Sequence, residues 1–381
     1  MNILIFQPML KQYRVPLFVR MKELLEEHGH ELRVVSGSPP IKEMSKGDNV
    51  ITSNNYCIVE KSIWLFSGKL HILRNFCSHI LWADFIITEQ ANKHLHNYVL
   101  IMLRLIGVKY FGYWGHGRNR QGRSNSIKER VKKALSLRCD WWFAYTGGVG
   151  EYMKSLGFPS SKITVLNNSV DTSEFKGVLD SIGIDEISSF KKDLEIDSKA
   201  RIGLYCGAIY AEKKIGFLLN AAIQVHHDNP DFILLIVGDG AERYLVEDFA
   251  KQHSFVRYLG PLFGASKALA FKSSEVFLCP GLVGLAILDA FASALPIFTT
   301  DIPYHSPEIE YLQNYYNGIM VEAREDCYAQ TVIRALMDLE NLEKLKHNAY
   351  LSSNLFSIDK MAHNFVNGII GYIVSREISE G

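Results

Sequence analysis

What most constrains the fold of this 381-residue chain is a rhythm that runs through it twice. Short β-branched and aliphatic runs alternate with longer stretches of helical periodicity, the signature of βα units building a parallel sheet. The first series predicts strands near residues 2–6, 31–36, 84–88, 108–113, 141–144 and 163–166. Between the first two, Val15, Phe18, Val19, Met21 and Leu25 fall on one helical face. Residues 170–200 interrupt the pattern with Asp, Ser, Lys and Gly, and strands then resume near 201–206, 232–237, 255–259, 275–279 and 296–299. The tail carries Met361, Phe365, Val366, Ile369, Ile370 and Ile373 at helical spacing and reads as a packed helix.

A chain of this length exceeds what one hydrophobic core serves, so the expectation is α/β with two Rossmann-like doubly wound domains facing across a cleft. The boundaries read as 1–168, an interdomain region at 169–200, a second domain at 201–357, and a C-terminal helix from 358 to 381 that packs back. Apolar residues at 48% fill such cores, and 41 basic against 41 acidic residues leave no global field to select nucleic acid as a partner. Six scattered cysteines form no CxxC or Cys/His cluster and read as reduced thiols. Residues 1–8 do not read as a basic, apolar, cleavable leader, so secretion is not expected. The most apolar later segments, 80–88 and 98–113, are short or broken by Asp84, Arg104 and Lys109, so none reads as a membrane span. A cytoplasmic protein is expected, with peripheral contact to the inner face of the cell membrane left open.

Ligands bind doubly wound sheets outside the carboxyl ends of their strands, and three loops of the second half invite attention there. The segment CPGLVGLAILDAFASALP, residues 279–296, reads as a strand end, a glycine-containing loop and a helix opening near Leu285. Gly281 and Gly284, with Leu282 between them, permit close backbone approach, and amides at a helix start favour an anion. An ordinary strand-turn-helix junction reads equally well. In GAIYAEKK, residues 207–214, Lys213 and Lys214 lie six and seven residues beyond Gly207, within reach of a pyrophosphate or simply solvated. Gly238 opens a GDG loop after the apolar strand FILLIV, and a tight turn would also explain it.

In this order and spacing the three elements resemble the donor domain of GT-B glycosyltransferases of family four, the large retaining family, and bacterial surface-polysaccharide glycosyltransferases in particular. The family reads roughly as GRLxxxKG, a strand ending in GxG, then EGFGLxxLEAxAxGxPV; this chain offers GAIYAEKK, VGDG and GLVGLAILDAFASALPI. The resemblance implies a nucleotide-diphosphate sugar as substrate, no cofactor and no metal. Two departures stand out. Ala208 replaces the family arginine, and the paired glutamates become Gly281 and Asp289. Asp289 retains a carboxylate for a ribose; Gly281 offers no side chain to a sugar. A segment of PEI type lies near the donor in relatives, which points to Glu308, although a first-turn carboxylate meeting the helix dipole is an equal reading.

In the first half, QPMLKQYRVPLF follows the first strand and resembles the YRVPLF-type opening of polysaccharide-building transferases, whose N-terminal domain takes the acceptor. Tyr13 and Arg14 are the candidates there, with pairing of Arg14 to a nearby carboxylate as the alternative. GYWGHGR, residues 112–118, places His116 between glycines at a strand end, and relatives carry a histidine at a comparable place facing the donor sugar; a loop histidine satisfied by local hydrogen bonds is the alternative. Residues 118–138 hold eight basic side chains and one acid; Arg118 and Arg120, in the loop, are candidates for an anionic acceptor or lipid headgroup, while the later residues read rather as a solvated helix face. The resemblance thus implies transfer of a sugar, with retention, to a glycan or lipid-linked acceptor in polysaccharide or glycoconjugate biosynthesis. Two rivals are kept: a catalytically degenerate sugar-nucleotide-binding scaffold, and a Rossmann oxidoreductase, for which no GxGxxG follows any strand.

Overall fold

The computed structural model describes residues 1–38, 53, 55–66, 70–117 and 133–380, without the side chains of 379 and 380. The chain divides into two units: Met1–Asp171 together with Ser357–Gly381, and Thr172–Phe356.

In the first unit, β1 (Asn2–Gln7), β2 (Glu31–Gly37), β3 (Cys57–Glu60), β6 (Phe85–Glu89), β7 (Tyr110–Gly115), β8 (Trp141–Ala144) and β9 (Ile163–Val165) form a parallel sheet in the order β3-β2-β1-β6-β7-β8-β9. An antiparallel pair, β4 (Ser62–Leu65) with β5 (Leu70–Leu73), stands apart from it. Strands buried on both faces read as continuous apolar runs, and β1 is the example. Ile3 and Ile5 enter one core cluster with helices Val15–Glu27 and Ile358–Glu380, while Leu4 and Phe6 enter the other with Phe76, Leu100 and Met153. The C-terminal helix is therefore part of this unit's core. Phe365 stacks on Phe143 with ring centroids 4.6 Å apart, and Tyr372 on Phe85 at 3.8 Å. Gly368 permits that approach: a Cβ there would stand 2.5 Å from Thr164 Oγ1 and 2.7 Å from the Phe143 ring.

The second unit is a six-stranded parallel sheet of β10 (Arg201–Cys206), β11 (Phe232–Val237), β12 (Val256–Gly260), β13 (Val276–Leu278), β14 (Ile297–Thr300) and β15 (Gly318–Val321), in the order β12-β11-β10-β13-β14-β15. The strand order reverses between β10 and β13, as it does between β1 and β6 in the first unit. Loops leaving the strands at such a reversal diverge and open a crevice. Residues 169–200, expected as an interdomain region, include helices Ser173–Ser181 and Ile184–Asp193, which fall with the second unit. No described helix is long and apolar enough to cross a membrane.

Candidate functional site

At the reversal point of the second unit, four loops at the carboxyl edge of the sheet are laced together. The loop after β10 runs from Gly207 through the 3-10 helix Ala211–Lys213 to helix Ile215–Asp228. On one side it meets the loop after β11: Gly207 N–H donates to the Val237 carbonyl at 3.0 Å, and Ile209 N–H to the Asp239 carbonyl at 2.9 Å. The contact is backbone against backbone, because a Cβ on Gly238 would lie 1.9 Å from the Gly207 oxygen. On the other side it meets the loop after β13. Leu282 N–H donates to the Glu212 carbonyl at 2.8 Å, and the Lys213 ammonium donates to the Leu282 carbonyl at 2.6 Å. Lys213 is 8% exposed, and among the described residues no carboxylate pairs with it. Lys214, the next residue, takes the left-handed conformation at φ 54°, and its ammonium lies 5.6 Å from the Phe217 ring.

Gly281 is the tightest point of this lacing. A Cβ there would stand 2.3 Å from the Lys213 carbonyl carbon and 2.4 Å from both the Glu212 and Lys213 oxygens. The position where the family resemblance sets a glutamate is thus filled by the backbone of the neighbouring loop. Gly284 differs: its Cβ would find Ser306 Oγ at 3.5 Å, an ordinary contact. The helix expected near Leu285 begins at Ala286 and ends at Ala292, with Leu285 as its N-cap.

The loop after β14 braces the same turn. His305 accepts from Val283 N–H at Nδ1 (3.0 Å) and sits 2.8 Å by Nε2 from the Thr300 carbonyl, so the ring is neutral with its proton on Nε2. Thr300 Oγ1 donates to the Pro280 carbonyl at 2.5 Å. Glu308, in the first turn of the 3-10 helix Pro307–Tyr311, is buried. Asp289 Oδ2 receives the ammonium of Lys267 at 2.8 Å, and that ammonium also lies 4.7 Å from the Phe175 ring. The neighbouring Cys206 thiol is pushed up to about 12, by burial first, with Lys267 opposing and Asp289 adding.

In the first unit, Arg14 follows β1 and caps helix Val15–Glu27. It is 6% exposed, and its guanidinium carbon lies 5.1, 5.2 and 5.9 Å from the rings of Tyr13, Trp114 and Tyr145. Nη1 donates to the Ser169 carbonyl at 3.4 Å and contacts Met361 Sδ at 3.8 Å. Among the described residues it has no carboxylate partner. Tyr13 itself is 44% exposed. His116, exposed just beyond β7, packs edge-on against Tyr145 at 4.2 Å. The structure therefore brings Tyr13, Arg14 and His116 around one ring cluster. Arg118 and Arg120 lie outside the described residues.

Sequence reasoning did not anticipate the chain beside the β1/β6 reversal that runs through two buried histidines. Glu89, ending β6, lies 3.4 Å from His94 Nε2; His94 Nδ1 is 3.2 Å from His71 Nδ1, and His71 Nε2 is 3.2 Å from Ser62 Oγ. Burial, then the charges of His94 and Lys93, lower His71 to about 4 against the opposing pull of Glu89. Burial and the charges of His94 and His71 likewise hold His96 well below its ordinary value. Glu89 is held low because hydrogen bonding and charge from His94, with Lys93 and His116, outweigh burial. The spacing of His94 and His96 was the one visible signal. Among the described residues no group of three or more His, Cys, Asp or Glu is placed to hold a metal ion.

Residues 200–338 match the model described as glycosyl transferases group 1. The chain is 22% identical over 358 residues to the alpha-monoglucosyldiacylglycerol synthase of Acholeplasma laidlawii, covering 89% of this chain and 88% of that one. It is 23% identical over 199 residues to the GtfA subunit of the UDP-N-acetylglucosamine--peptide N-acetylglucosaminyltransferase of Streptococcus agalactiae. That match takes in 49% of this chain but only 39% of the subunit's length. In structure the chain is similar to Anabaena HepE in complex with UDP, with TM-score 0.69 at 13% identity, over 97% of this chain and 99% of that one.

Proposed function

Because this chain belongs to the GT-B glycosyltransferases, in the glycosyl transferases group 1 family, we propose that it transfers a sugar from a nucleoside-diphosphate sugar to a glycan or lipid-linked acceptor with retention of anomeric configuration. The second unit holds the donor and the first takes the acceptor. The observation that carries this reading is the meeting of the loops after β10 and β13 at the β10/β13 reversal, with a buried lysine ammonium set between them.

In such a transfer, positive charge grows at the anomeric carbon and negative charge on the departing diphosphate. Lys213 meets the diphosphate with the N–H bonds its Leu282 contact leaves over, and Lys214 supplies a second ammonium from the adjoining position. Preorganised donors of this kind are each worth roughly 3 kcal/mol of barrier. Gly207, Gly238, Gly281 and Gly284 let backbone rather than side chains line the site. Asp289 receives a ribose hydroxyl on one oxygen while Lys267 holds the other, and Glu308 and His116 face the donor sugar. The departing diphosphate oxygen takes the acceptor's proton on the same face. Tyr13, Arg14, Arg118 and Arg120 engage the acceptor. The reaction calls for no resident cofactor or metal.

A seat on the inner face of a membrane belongs to the same proposal. Met102, Leu105 and Ile106 are exposed on helix Leu95–Leu105 and at its end, and Val108, two residues further on, is exposed as well. The basic run 118–138 follows in the chain. A scaffold role is the second reading, favoured by Ala208 and Gly281, which remove family side chains.

The test is a panel of nucleotide sugars scored by thermal shift and by turnover, with UDP-sugars first because HepE was solved with UDP. A true donor raises the melting temperature by mass action. Turnover indifferent to loss of both Lys213 and Lys214 sinks the diphosphate assignment, whereas stabilisation without turnover selects the scaffold.

A further inference from the structure

We propose that Arg14 is the floor of an oxyanion site in the first unit and that the acceptor presents a phosphate or carboxylate to it. The inference rests on the reading that the first unit takes the acceptor, and it adds the acceptor's chemical class.

The first ground is an unbalanced charge. An arginine that is 6% exposed ordinarily has a carboxylate against it, since removing an ion from water costs several kcal/mol. Among the described residues Arg14 has none. Among the described residues its acceptors are the Ser169 carbonyl at 3.4 Å and Met361 Sδ at 3.8 Å, both reached by Nη1. Nε and Nη2 carry three further N–H bonds that no described group accepts. The rings of Tyr13, Trp114 and Tyr145 offset part of the cost through their negative faces. Ring contacts of this kind leave the N–H bonds of Nε and Nη2 without an acceptor among the described residues. That pair of nitrogens matches the two oxygens of a phosphate or carboxylate.

The second ground is the helix that Arg14 caps. Val15–Glu27 has no acidic residue in its first turn and no side-chain cap, so its N-terminal partial positive charge adds to that of the guanidinium instead of relieving it. Both charges lie after β1, at the β1/β6 reversal. Tyr145 links this place to the chemistry, because its ring lies 5.9 Å from the Arg14 guanidinium and 4.2 Å from the His116 ring. Arg14 and His116 thus share one aromatic neighbour within the first unit.

The experiment compares the full chain with Arg14→Met, which removes the charge, and Arg14→Lys, which keeps charge and loses the fork. Inorganic phosphate, glycerol phosphate and glucuronate are titrated by calorimetry at ionic strength matched with chloride, and UDP is titrated separately. The expected result is oxyanion binding by wild type, weakened about tenfold or more in both variants, with the UDP response unchanged. Response to the phosphates alone assigns a phosphate-bearing acceptor; response to glucuronate alone assigns a carboxylated one. Should Arg14→Met fail to fold, Arg14→Lys decides. Wild-type affinity in Arg14→Lys, or no oxyanion binding by wild type beyond the chloride control, overturns the proposal. If UDP binds none of the proteins while oxyanion binding still follows Arg14, the anion site stands and the donor reading falls.

Discussion

Restoring the family glutamate at position 281 will damage this protein rather than improve it. The first side-chain carbon would lie 2.3 Å from the Lys213 carbonyl carbon and 2.4 Å from two carbonyl oxygens. All three are backbone atoms, so no rotamer change relieves the clash. Relief requires the loop after β13 to withdraw from residues 212–213, which breaks the Leu282 to Glu212 bond at 2.8 Å and the Lys213 to Leu282 bond at 2.6 Å. The first is worth about 1 kcal/mol and the second, with a charged donor, about 2 kcal/mol; overpacking elsewhere costs about 1 to 3 kcal/mol. Gly281→Ala should therefore cost the second unit about 4 to 6 kcal/mol. For a unit of this size that is a fall in melting temperature of roughly 10 to 20 °C. Gly281→Glu should be at least as damaging and should weaken UDP binding. Gly284→Ala, whose Cβ has room, should melt within about 2 °C of wild type, close to the usual effect of a harmless substitution.

Thermal melts with and without UDP read these outcomes, and a double-mutant cycle sharpens them. Lys213→Met removes the ammonium contact that the Gly281 substitution also breaks, so the pair should cost less than the sum of the singles by about 1 to 2 kcal/mol. Additive losses would show that the two residues do not share one contact. Gly281→Ala melting with wild type, or Gly281→Glu raising turnover at wild-type stability, would refute the steric account outright.

Other expectations follow from the same geometry. Lys213→Ala should lower turnover about 10²-fold, and Lys214→Ala by less, since only Lys213 is held between two loops; steady-state kinetics with the identified donor checks the order. His71 binds its proton near pH 4 in the fold against an ordinary 6.5, so the unfolded chain holds more protons between these values. Stability is complete above pH 6.5 and falls on acidification toward 4. One such site loses about 2 kcal/mol between pH 7.5 and 5, with His96 acting in the same direction. Denaturant unfolding across that range should show the slope, and His71→Asn should flatten it; an unchanged slope discounts the burial argument. His116→Ala should depress turnover while leaving UDP affinity within about twofold of wild type, a difference too small to report a lost contact. Flotation with anionic vesicles should weaken when Met102 and Ile106 both become Ser, and unchanged flotation removes that helix end from the membrane proposal.

What was legible in the sequence was what burial on two faces dictates. β8, β10 and β11 fall on the expected residues, because runs such as FILLIV have no polar face to confuse the period. β3, β4 and β5 were missed: each is four residues long, and Ser62–Leu65 alternates between half-buried and exposed without entering a core. Helices Ser173–Ser181 and Ile184–Asp193 read as linker because they bury one residue and none. The glycine loops were visible as motifs, but which glycine is sterically obligatory was not, since Gly281 and Gly284 differ only in what a distant loop brings against them. The Lys267–Asp289 pair and the Glu89–His94–His71 chain join residues with no local pattern between them. Arg14 was expected either at an acceptor or against a carboxylate, and a cage of three rings was not foreseeable from its neighbours in sequence.

The two units repeat one electrostatic arrangement at one topological position. In each, the strand flanking the reversal is followed by a short 3-10 turn ending in a buried cation: Arg14 after β1, Lys213 after β10. A long helix begins next, Val15–Glu27 in one unit and Ile215–Asp228 in the other, and neither carries an acid in its first turn. Among the described residues neither cation meets a carboxylate. A buried cation and the positive end of a helix in the same place oppose folding unless an anion completes them, and a chain built only for stability has cheap remedies in an Asp or Glu at the first turn. Both units forgo that remedy at the same step of the fold. Under the two proposals made above, each cation is reserved for an oxyanion that arrives with substrate, the donor's diphosphate on Lys213 and an acidic group of the acceptor on Arg14.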